Sequence, residues 1–332
     1  LTEAQSLDLS SRPVVSAALP VLAWVASATD QANELFDRAR DHHDAWVRAT
    51  VPLAQAQWAE NEGDVPAMRS HYEEAYAAFE AIGDRWGITA SLSGMANVAM
   101  LDDQLDRAGE AFEQARQLLQ TFGAEAENAM LHMRLADVRH RQGRQDEALV
   151  HAREALGATD LAGPEAAIIG GGMAQLLWQL GETDESRRIL QTALQTVERV
   201  GDWGPTRGHV HAMVYSIAAV IDLEDGEPHR ARERLAIAYP AGVGTSDLPI
   251  LAMVATAVAR LALHDGKARD AAEILGAAAR MRGSADLSNP EVARLRARLT
   301  DELGETTFAE LFEAGHALDR EAGAARVDPT KL

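Results

Sequence analysis

Histidine side chains are the first candidates for chemistry in this sequence, because neutral imidazole binds metals. His42 and His43 are adjacent, and His209 and His211 are two residues apart. Neighbouring residues of a helix point about 100° apart, so the first pair makes a poor chelate, and the second pair would chelate only on an extended segment. With no third ligand evident, we interpret all four as structural or solvent-exposed and expect no metal site.

Paired carboxylates are the second candidates, since two neighbouring acids can act as general acid and base. The pairs Asp102-Asp103 and Glu73-Glu74 fall at predicted turns and on outward helix faces, where they solvate the surface. Cysteine is absent, which excludes thiolate zinc sites and cysteine nucleophiles. The sequence also lacks the His-Glu-x-x-His motif, the Gly-x-Ser-x-Gly turn and the phosphate loop with its lysine. We therefore expect no enzymatic activity and no cofactor.

The composition favours a helical protein that does not bind nucleic acid directly. Of the 332 residues, 47% are hydrophobic but only 5% aromatic, a mixture that suits close helix packing better than sheets. The formal net charge of −20 repels a phosphate backbone. The apolar stretch 14–25 contains a proline and is too short to span a bilayer, and no signal peptide is evident. We expect a cytoplasmic location and no membrane contact.

Six corner residues recur at a nearly constant spacing and organise the chain. They are Gly63, Asp103, Gly143, Gly181, Gly226 and Gly266, separated by 40, 40, 38, 45 and 40 residues. An alanine stands seven residues before each corner, and mostly small or apolar residues stand five, nine and twelve residues after it, in one helical stripe. Glycine or aspartate tolerates the left-handed backbone that ends a helix. Each unit is therefore predicted to be a helix, a turn and a second helix, and neighbouring units must stack to bury the stripe.

This pattern resembles the tetratricopeptide repeat, in a longer variant of about 40 residues. The resemblance implies an all-α, right-handed superhelix of six helix pairs over residues 51–283. A degenerate repeat or cap is expected over residues 1–50. Its repeat positions would be occupied by Ala23, Val25, Asp30, Leu35 and Ala39.

The last part of the chain departs from the repeat. Ser288-Asn289-Pro290-Glu291 is typical of a helix start, with Ser288 or Asn289 as the cap and Pro290 in the first turn. The apolar residues that follow have a different spacing, so we expect a capping helix pair over residues 284–320 that covers the last apolar face. Residues 321–332 are expected to form a frayed tail.

Two C-terminal segments carry a sharper resemblance. Residues 271–278 read Ala-Ala-Glu-Ile-Leu-Gly-Ala-Ala, and residues 303–318 begin Leu-Gly-Glu-Thr-Thr-Phe and end Gly-His-Ala-Leu. Together they resemble the closing segment of large actinobacterial regulators of the AfsR type (SARP) and of related LuxR-type ATPase regulators. In those families a DNA-binding domain and a P-loop ATPase domain precede a tetratricopeptide region that is taken to be the sensor. The resemblance implies a regulatory domain of a larger protein whose DNA-binding and ATPase domains lie outside this sequence.

In tetratricopeptide arrays the first helix of each pair lines a concave groove, at fixed distances before each corner. Five of the nine methionines and a row of polar side chains fall at these positions. Adaptable thioethers with a few polar anchors suit a small effector, a peptide or a partner domain, although methionine at this spacing is also usual in a core. The candidate groove residues are Gln57, Asn97, Met100, Met133, Asp137, His140, Gly171, Gln175, Trp178, Met213, Met253 and Arg260.

Three consecutive glycines, residues 170–172, interrupt the first helix of the fourth unit, where each costs about 1 kcal/mol relative to alanine. Either a ligand or a neighbouring helix approaches the bare backbone, or the helix breaks there. The sequence leaves both explanations open. It also leaves open whether the chain is the sensor domain of a regulator or a free-standing scaffold that assembles other proteins through its groove.

Overall fold

The computed structural model describes residues 29–120, 124–157, 163–199 and 206–332, together with the isolated positions 13–14, 17–18 and 204. This described part contains no strand, so the prediction of an all-α fold is confirmed. A 3-10 turn, Pro329–Lys331, follows the last helix. The helices are α1 (Thr29–Arg40), α2 (Ala45–Asn61), α3 (Val65–Ile82), α4 (Arg85–Leu101), α5 (Leu105–Leu119), α6 (Glu125–Arg141), α7 (Gln145–Leu156), α8 (Gly163–Gln179), α9 (Thr183–Arg199), α10 (Thr206–Glu224), α11 (Pro228–Thr245), α12 (Leu248–His264), α13 (Ala268–Arg282), α14 (Pro290–Leu303), α15 (Glu305–His316) and α16 (Arg320–Arg326).

All six predicted corners have the same backbone geometry. Each corner residue has a positive φ, between 59° and 87°. The residue after each corner donates its N–H to the carbonyl oxygen five residues earlier, as Arg144 does to Arg139 over 2.8 Å. This bond satisfies a carbonyl that the helix end would otherwise leave unpaired. The corners therefore join six equivalent helix pairs, α2–α3 to α12–α13.

Small residues at matched positions let the helices of each pair pack closely. The alanine seven residues before each corner has no exposed surface in any of the six units. The stripe on the second helix is buried as well, for example Phe112 in the second unit and Leu235 in the fifth. Since each pair covers only part of its own apolar surface, the clusters of buried residues continue from one pair to the next.

The glycine segment 170–172 lies within an unbroken α8. A Cβ atom on Gly171 would lie 3.3 Å from Val214 Cγ2 on α10, and one on Gly172 would lie 2.9 Å from Met133 Sδ on α6. The glycines therefore allow neighbouring first helices to approach the α8 backbone. Of the two explanations left open by the sequence, the helix break is wrong.

The degenerate repeat or cap predicted for residues 1–50 needs correction in its described part, residues 29–50. α1 begins at Thr29, so Asp30 lies within a helix and is not a corner. Leu35 and Ala39 are nevertheless buried in a cluster with Val47 of α2. α2 crosses the predicted boundary between residues 50 and 51, because the first complete helix pair already starts at residue 45. Ala23, Val25 and most of the apolar stretch 14–25 lie outside the described residues.

The predicted helix start at residues 288–291 is confirmed. Asn289 is the cap of α14 and accepts a hydrogen bond from the Glu291 N–H over 3.0 Å, with Pro290 as the first helical residue. α15 then packs along α13, where the next repeat would otherwise stand. Within the described residues, no helix is long and apolar enough to cross a membrane.

The frayed tail predicted for residues 321–332 is wrong, because this segment packs against the last two repeats. It contains most of α16 and the final 3-10 turn, and Val327 is fully buried. Tyr239 donates its hydroxyl to the Ala324 carbonyl over 3.0 Å. Arg326 binds both Asp270 and Glu273 of α13, at 2.6 and 2.7 Å. These polar contacts and the buried valine order a segment whose composition alone suggested fraying.

The two C-terminal segments 271–278 and 303–318, which we call the closing signature, contain Gly276 and Gly315, and these glycines stand where α13 and α15 cross. A Cβ atom on Gly276 would lie 1.9 Å from the Phe312 carbonyl oxygen, and one on Gly315 would lie 1.9 Å from the Glu273 carbonyl oxygen. The two backbones are therefore in direct contact, and glycine is required at both positions.

We predict that Gly276→Ala lowers the free energy of unfolding by roughly 3 kcal/mol, because the added methyl group must push one backbone off another. Gly244→Ala is the matched control, since Gly244 also lies in a helix but has open space around its Cβ position. The control should change stability by about 1 kcal/mol at most, towards stabilisation. Urea denaturation of both variants measures the difference, and equal stabilities would show that the helices do not cross there.

Candidate functional site

The first and last repeats are in direct contact, which closes the superhelix around a central space. Gly63, the first corner, lies against the end of α13. A Cβ atom on Gly63 would lie 2.3 Å from the Met281 carbonyl oxygen, and one on Gly283 would lie 2.1 Å from the Gly63 carbonyl oxygen. The contact therefore depends on glycine on both sides.

Residues 283–289, which we call the closing loop, extend this contact across the corners of the early repeats. Ser284 Oγ donates to the Leu101 carbonyl oxygen over 2.9 Å, and the Ser288 N–H donates to Asp103 Oδ1 over 3.2 Å. These bonds attach the loop to the end of α4 and to the second corner. The loop thus joins parts of the chain that are more than 180 residues apart.

Asp286 holds the centre of the closing loop. Its side chain is almost completely buried, and its Oδ1 accepts a hydrogen bond from Arg141 Nη1 over 2.6 Å. Arg282 Nε lies 3.7 Å from the other carboxylate oxygen. Burial alone would raise the pKa of Asp286, but the two guanidinium groups outweigh it and lower that pKa below its ordinary value. An ionised carboxylate therefore ties the third repeat to the sixth.

A central cavity of about 220 Å³ lies between the closing loop and the first helices of repeats three to six. Its apolar wall includes one methionine from each of these four helices, and its polar lining comes from both the helices and the segment 282–292. The lining residues are Met133, Arg134, Asp137, Arg141, Gly172, Met173, Gln175, Leu176, Gln179, Met213, Ser216, Ile217, Val220, Met253, Thr256, Ala257, Arg282, Asn289, Glu291 and Val292.

A second cavity of about 430 Å³ lies under α14. Trp178, Leu223 and Leu263 occupy the same repeat position in units four to six and line this space opposite Leu295 of α14. Arg260 on α12 binds the Glu291 carboxylate over 2.7 Å. The protein's own helix therefore covers the concave face of the last three repeats.

Seven of the twelve predicted groove residues line these cavities. Met133, Asp137, Gln175, Met213 and Met253 line the central cavity, and Trp178 and Arg260 line the second one.

The other five predicted groove residues lie elsewhere. Gln57 is exposed on α2, and Met100 is buried in the core around Phe112. His140 is buried, with its Nδ1 2.9 Å from Gln145 Oε1. Gly171 packs against α10, as described above, and Asn97 belongs to a polar cluster in the first two repeats.

That polar cluster centres on Glu60. Tyr72 donates its hydroxyl to one carboxylate oxygen of Glu60 over 2.8 Å, and Asn97 Nδ2 donates to the other over 3.3 Å. Burial raises the pKa of Glu60 above its ordinary value, and the hydrogen bond from Tyr72 offsets this only in part. The positive charge of Arg134, which lines the central cavity, also acts on Glu60 and favours its ionised form.

The histidines singled out from the sequence do not come together with other metal ligands. Among the described residues there is no group of three or more side chains that could hold a metal ion. The rings of His42 and His43 stack with centroids 4.4 Å apart. His209 and His211 lie on α10, where His209 Nε2 is 3.3 Å from an Asp247 oxygen.

Sequence reasoning missed the contribution of the C-terminal segment to the cavity. Asn289 and Glu291 were recognised only as a helix start, and Asp286 stands in no repeat position that could have drawn attention to it. Arg134 lies on α6 between the inward positions Met133 and Asp137. Including the residues next to each inward position would have identified it.

No protein-family model matches the sequence, and no curated protein does so either. Among solved structures, the chain resembles NprR in complex with its cognate peptide NprX, with a TM-score of 0.52 and 13% identity over 96% of this chain and 93% of that chain. The apo form of the quorum sensor NprR from B. thuringiensis gives a TM-score of 0.48 at 11% identity, covering 96% of this chain and 97% of that one. A signal transduction ATPase with numerous domains and a tetratricopeptide repeat sensor, from Pyrococcus horikoshii, gives 0.48 at 12% identity over 92% of this chain.

This chain spans 45% of the length of that ATPase. At 13% identity, the likeness to the NprR complex shows a shared fold and carries no information about a ligand. Together with the six equivalent corners, it confirms the predicted fold of tetratricopeptide-like helix pairs.

We predict that Gly63→Ala opens the closed superhelix, whereas Gly143→Ala does not. Both corners have a left-handed backbone, so both substitutions cost about 1–2 kcal/mol of strain. Only Gly63 also touches another backbone, while nothing lies within 4 Å of a Cβ atom on Gly143. Gly63→Ala should cost about 2 kcal/mol more and accelerate hydrogen exchange in residues 283–292. Equal exchange in the two variants would contradict the closure.

We also predict that Glu60 makes stability fall as pH rises. Because the folded-state pKa of Glu60 is raised, its stabilising contribution is complete below the unfolded pKa of about 4.3 and is lost as pH rises through the folded value. Glu60→Gln removes this loss, so its stability relative to the natural protein should increase from pH 4.5 to pH 8. Urea denaturation across this range measures it, with the exposed Glu110→Gln as the control for one lost charge. Parallel profiles for the natural protein and Glu60→Gln would refute the prediction.

Proposed function

We propose that this chain is the sensor domain of a bacterial transcriptional regulator and binds a small effector or a short peptide in the central cavity. The observation that carries the proposal is the composition of the cavity wall. First helices of four repeats and the segment that closes the superhelix all contribute to it. A ligand there contacts both ends of the array, so its binding changes the stability of the closed form.

The chemistry of the wall supports a ligand of mixed character. Met133, Met213 and Met253 supply apolar, polarizable surface that adapts to different shapes. Gln175 and Thr256 supply polar groups beside them. Pockets that bind small molecules combine a mainly apolar lining with a few placed polar groups. A short peptide is one candidate, by analogy with NprR, which has been solved with its cognate peptide.

The closing signature supports the regulator class. It resembles that of AfsR-type and LuxR-type regulators, in which DNA-binding and ATPase domains precede the tetratricopeptide region. In this proposal those domains are the partners of the chain within one cytoplasmic protein. The chain itself neither catalyses a reaction nor contacts DNA, in keeping with its net charge of −20.

The scaffold alternative is less well supported. A scaffold of this class would offer an open groove to helices or extended segments of other proteins. Here α14 covers the concave face of repeats four to six, and the Arg260–Glu291 ion pair holds it there. The remaining space is closed on one side by the closing loop. Its size suits a small ligand better than a partner helix.

We predict that ligands from a library of short peptides and metabolites raise the melting temperature of the chain, and that Gln175→Trp abolishes this effect by filling the cavity. A ligand at 100 times its Kd adds about 2.7 kcal/mol of stability. Gln191→Trp, on the exposed face of α9, is the matched control and should keep every response. Ligands that still stabilise Gln175→Trp would place the binding site elsewhere.

An upstream reading frame without a phosphate loop and a DNA-binding domain would refute the regulator class.

A further inference from the structure

The charged groups that line the central cavity are nearly all paired with one another. The Asp137 carboxylate lies 3.1 Å from Arg141, and Glu291 lies 2.7 Å from Arg260. Arg141 and Arg282 both bind Asp286 of the closing loop. Each of these charges therefore already has its counter-charge within the protein.

Arg134 differs from the other arginines of the lining. It is exposed to the cavity, and among the described residues no carboxylate lies within ion-pair distance of it. Its charge acts on Glu60 from beyond ion-pair distance, and the hydrogen bonds to the Glu60 carboxylate come from Tyr72 and Asn97. The guanidinium donors of Arg134 are thus available to a ligand.

Ser216 supplies a second polar group without a partner. Its side chain is 1% exposed, and its Oγ has no hydrogen-bond partner although it lines the cavity. Thr256, at the same repeat position one unit later, instead donates its hydroxyl to the Ala252 carbonyl oxygen over 2.9 Å. A buried hydroxyl without a partner destabilises the protein, and a ligand atom within hydrogen-bond distance of it would remove that cost.

We infer that the central cavity binds a small carboxylate with an apolar chain, in which the carboxylate pairs with Arg134 and the chain contacts Met213 and Met253. The inference rests on the proposed function and names its ligand class. One guanidinium matches one carboxylate through two parallel hydrogen bonds. A phosphate carries more than one negative charge and would need a second cation, but the other arginines of the lining already pair with Asp137 and Asp286. Ser216 Oγ gives a further contact to a polar atom of the ligand.

The test compares acids with neutral amides of the same shape by isothermal titration calorimetry. The probes are octanoate and N-acetyl-leucine, as free acids, and the tripeptide Ala-Ala-Leu, whose carboxylate is a peptide C-terminus. Octanamide, N-acetyl-leucinamide and the amidated tripeptide are their partners, and inorganic phosphate is the competing anion. At least one acid should bind 10- to 100-fold more tightly than its amide, the range expected for hydrogen bonds to a charged group. The acid that binds best distinguishes a free acid from a peptide end.

Three variants assign the effect to Arg134. Arg134→Gln should weaken binding of the acid 10- to 100-fold and leave binding of the amide unchanged, and Arg134→Lys should retain part of the preference. Arg188→Gln, which removes an exposed arginine of α9, should bind like the natural protein. Arg134 is exposed, so unchanged melting temperatures will show that the variants fold.

Three outcomes would overturn the inference: no acid binds, an amide or phosphate binds as tightly as the acids, or the preference for acids survives Arg134→Gln. None of these outcomes contradicts the proposed function if other ligands raise the melting temperature and Gln175→Trp abolishes that rise. If acids require Arg134 and lose binding in Gln175→Trp, but the upstream sequence encodes no DNA-binding domain, the carboxylate assignment stands and the sensor proposal fails. If Gln175→Trp has no effect on the acids, they bind outside the central cavity and the inference fails.

Discussion

The structure depends on the contact that closes the superhelix between its first corner and its last repeat. Gly63 and Gly283 bring two backbone segments closer together than any side chain would allow. Asp286 then ties α6 to α13 through Arg141 and Arg282. A buried carboxylate costs several kcal/mol unless its partners are in place, so this arrangement fixes the positions of both helices. Small changes in rotation between repeats add up over six units and would separate the ends. Closure therefore selects one curvature for the whole array, and with it the shape of the central cavity.

Features that depend on neighbours in the chain could be predicted from the sequence. A corner needs a residue that adopts positive φ and a stripe of small residues around it, and both requirements are met within some twenty residues. Gly143 and the buried Ala136 seven residues before it illustrate this, as does the cap formed by Asn289. Residues of the candidate site could be predicted from the sequence only where the repeat register determines which way a side chain points. Met133, Met213 and Met253 stand at inward positions in successive or nearby units, and the curvature brings them to one cavity.

Features that depend on contacts between distant residues could not be predicted. Arg141 binds Asp286, 145 residues away, and Arg320 Nη1 donates to both carboxylate oxygens of Glu62, 258 residues away, over 2.9 and 2.7 Å. No periodic signal marks such pairs, because the closing loop occurs once and repeats nothing. For the same reason, the sequence could not show that equivalent inward positions of different units have different environments. Asn97 donates to the part-buried Glu60 in the first two repeats, whereas Trp178 faces α14, which follows the sixth repeat. The repeat register determines which way a side chain points, but the contact between the first and last repeats determines which residues lie opposite it.

The closing signature contributes to the cavity through geometry and not through chemistry. Gly276 and Gly315 let α13 and α15 cross in backbone contact, which fixes α15 against the last repeat. Since α14 is joined to α15 through Gly304 alone, the position of α15 also determines where α14 can lie. α14 carries Glu291 and Val292 into the wall of the central cavity and covers the concave face of repeats four to six. Two buried glycines therefore help to determine the volume of the central cavity, although neither of them lines it. A family whose members share these glycines but differ in their first helices would keep the closed frame while changing the ligand.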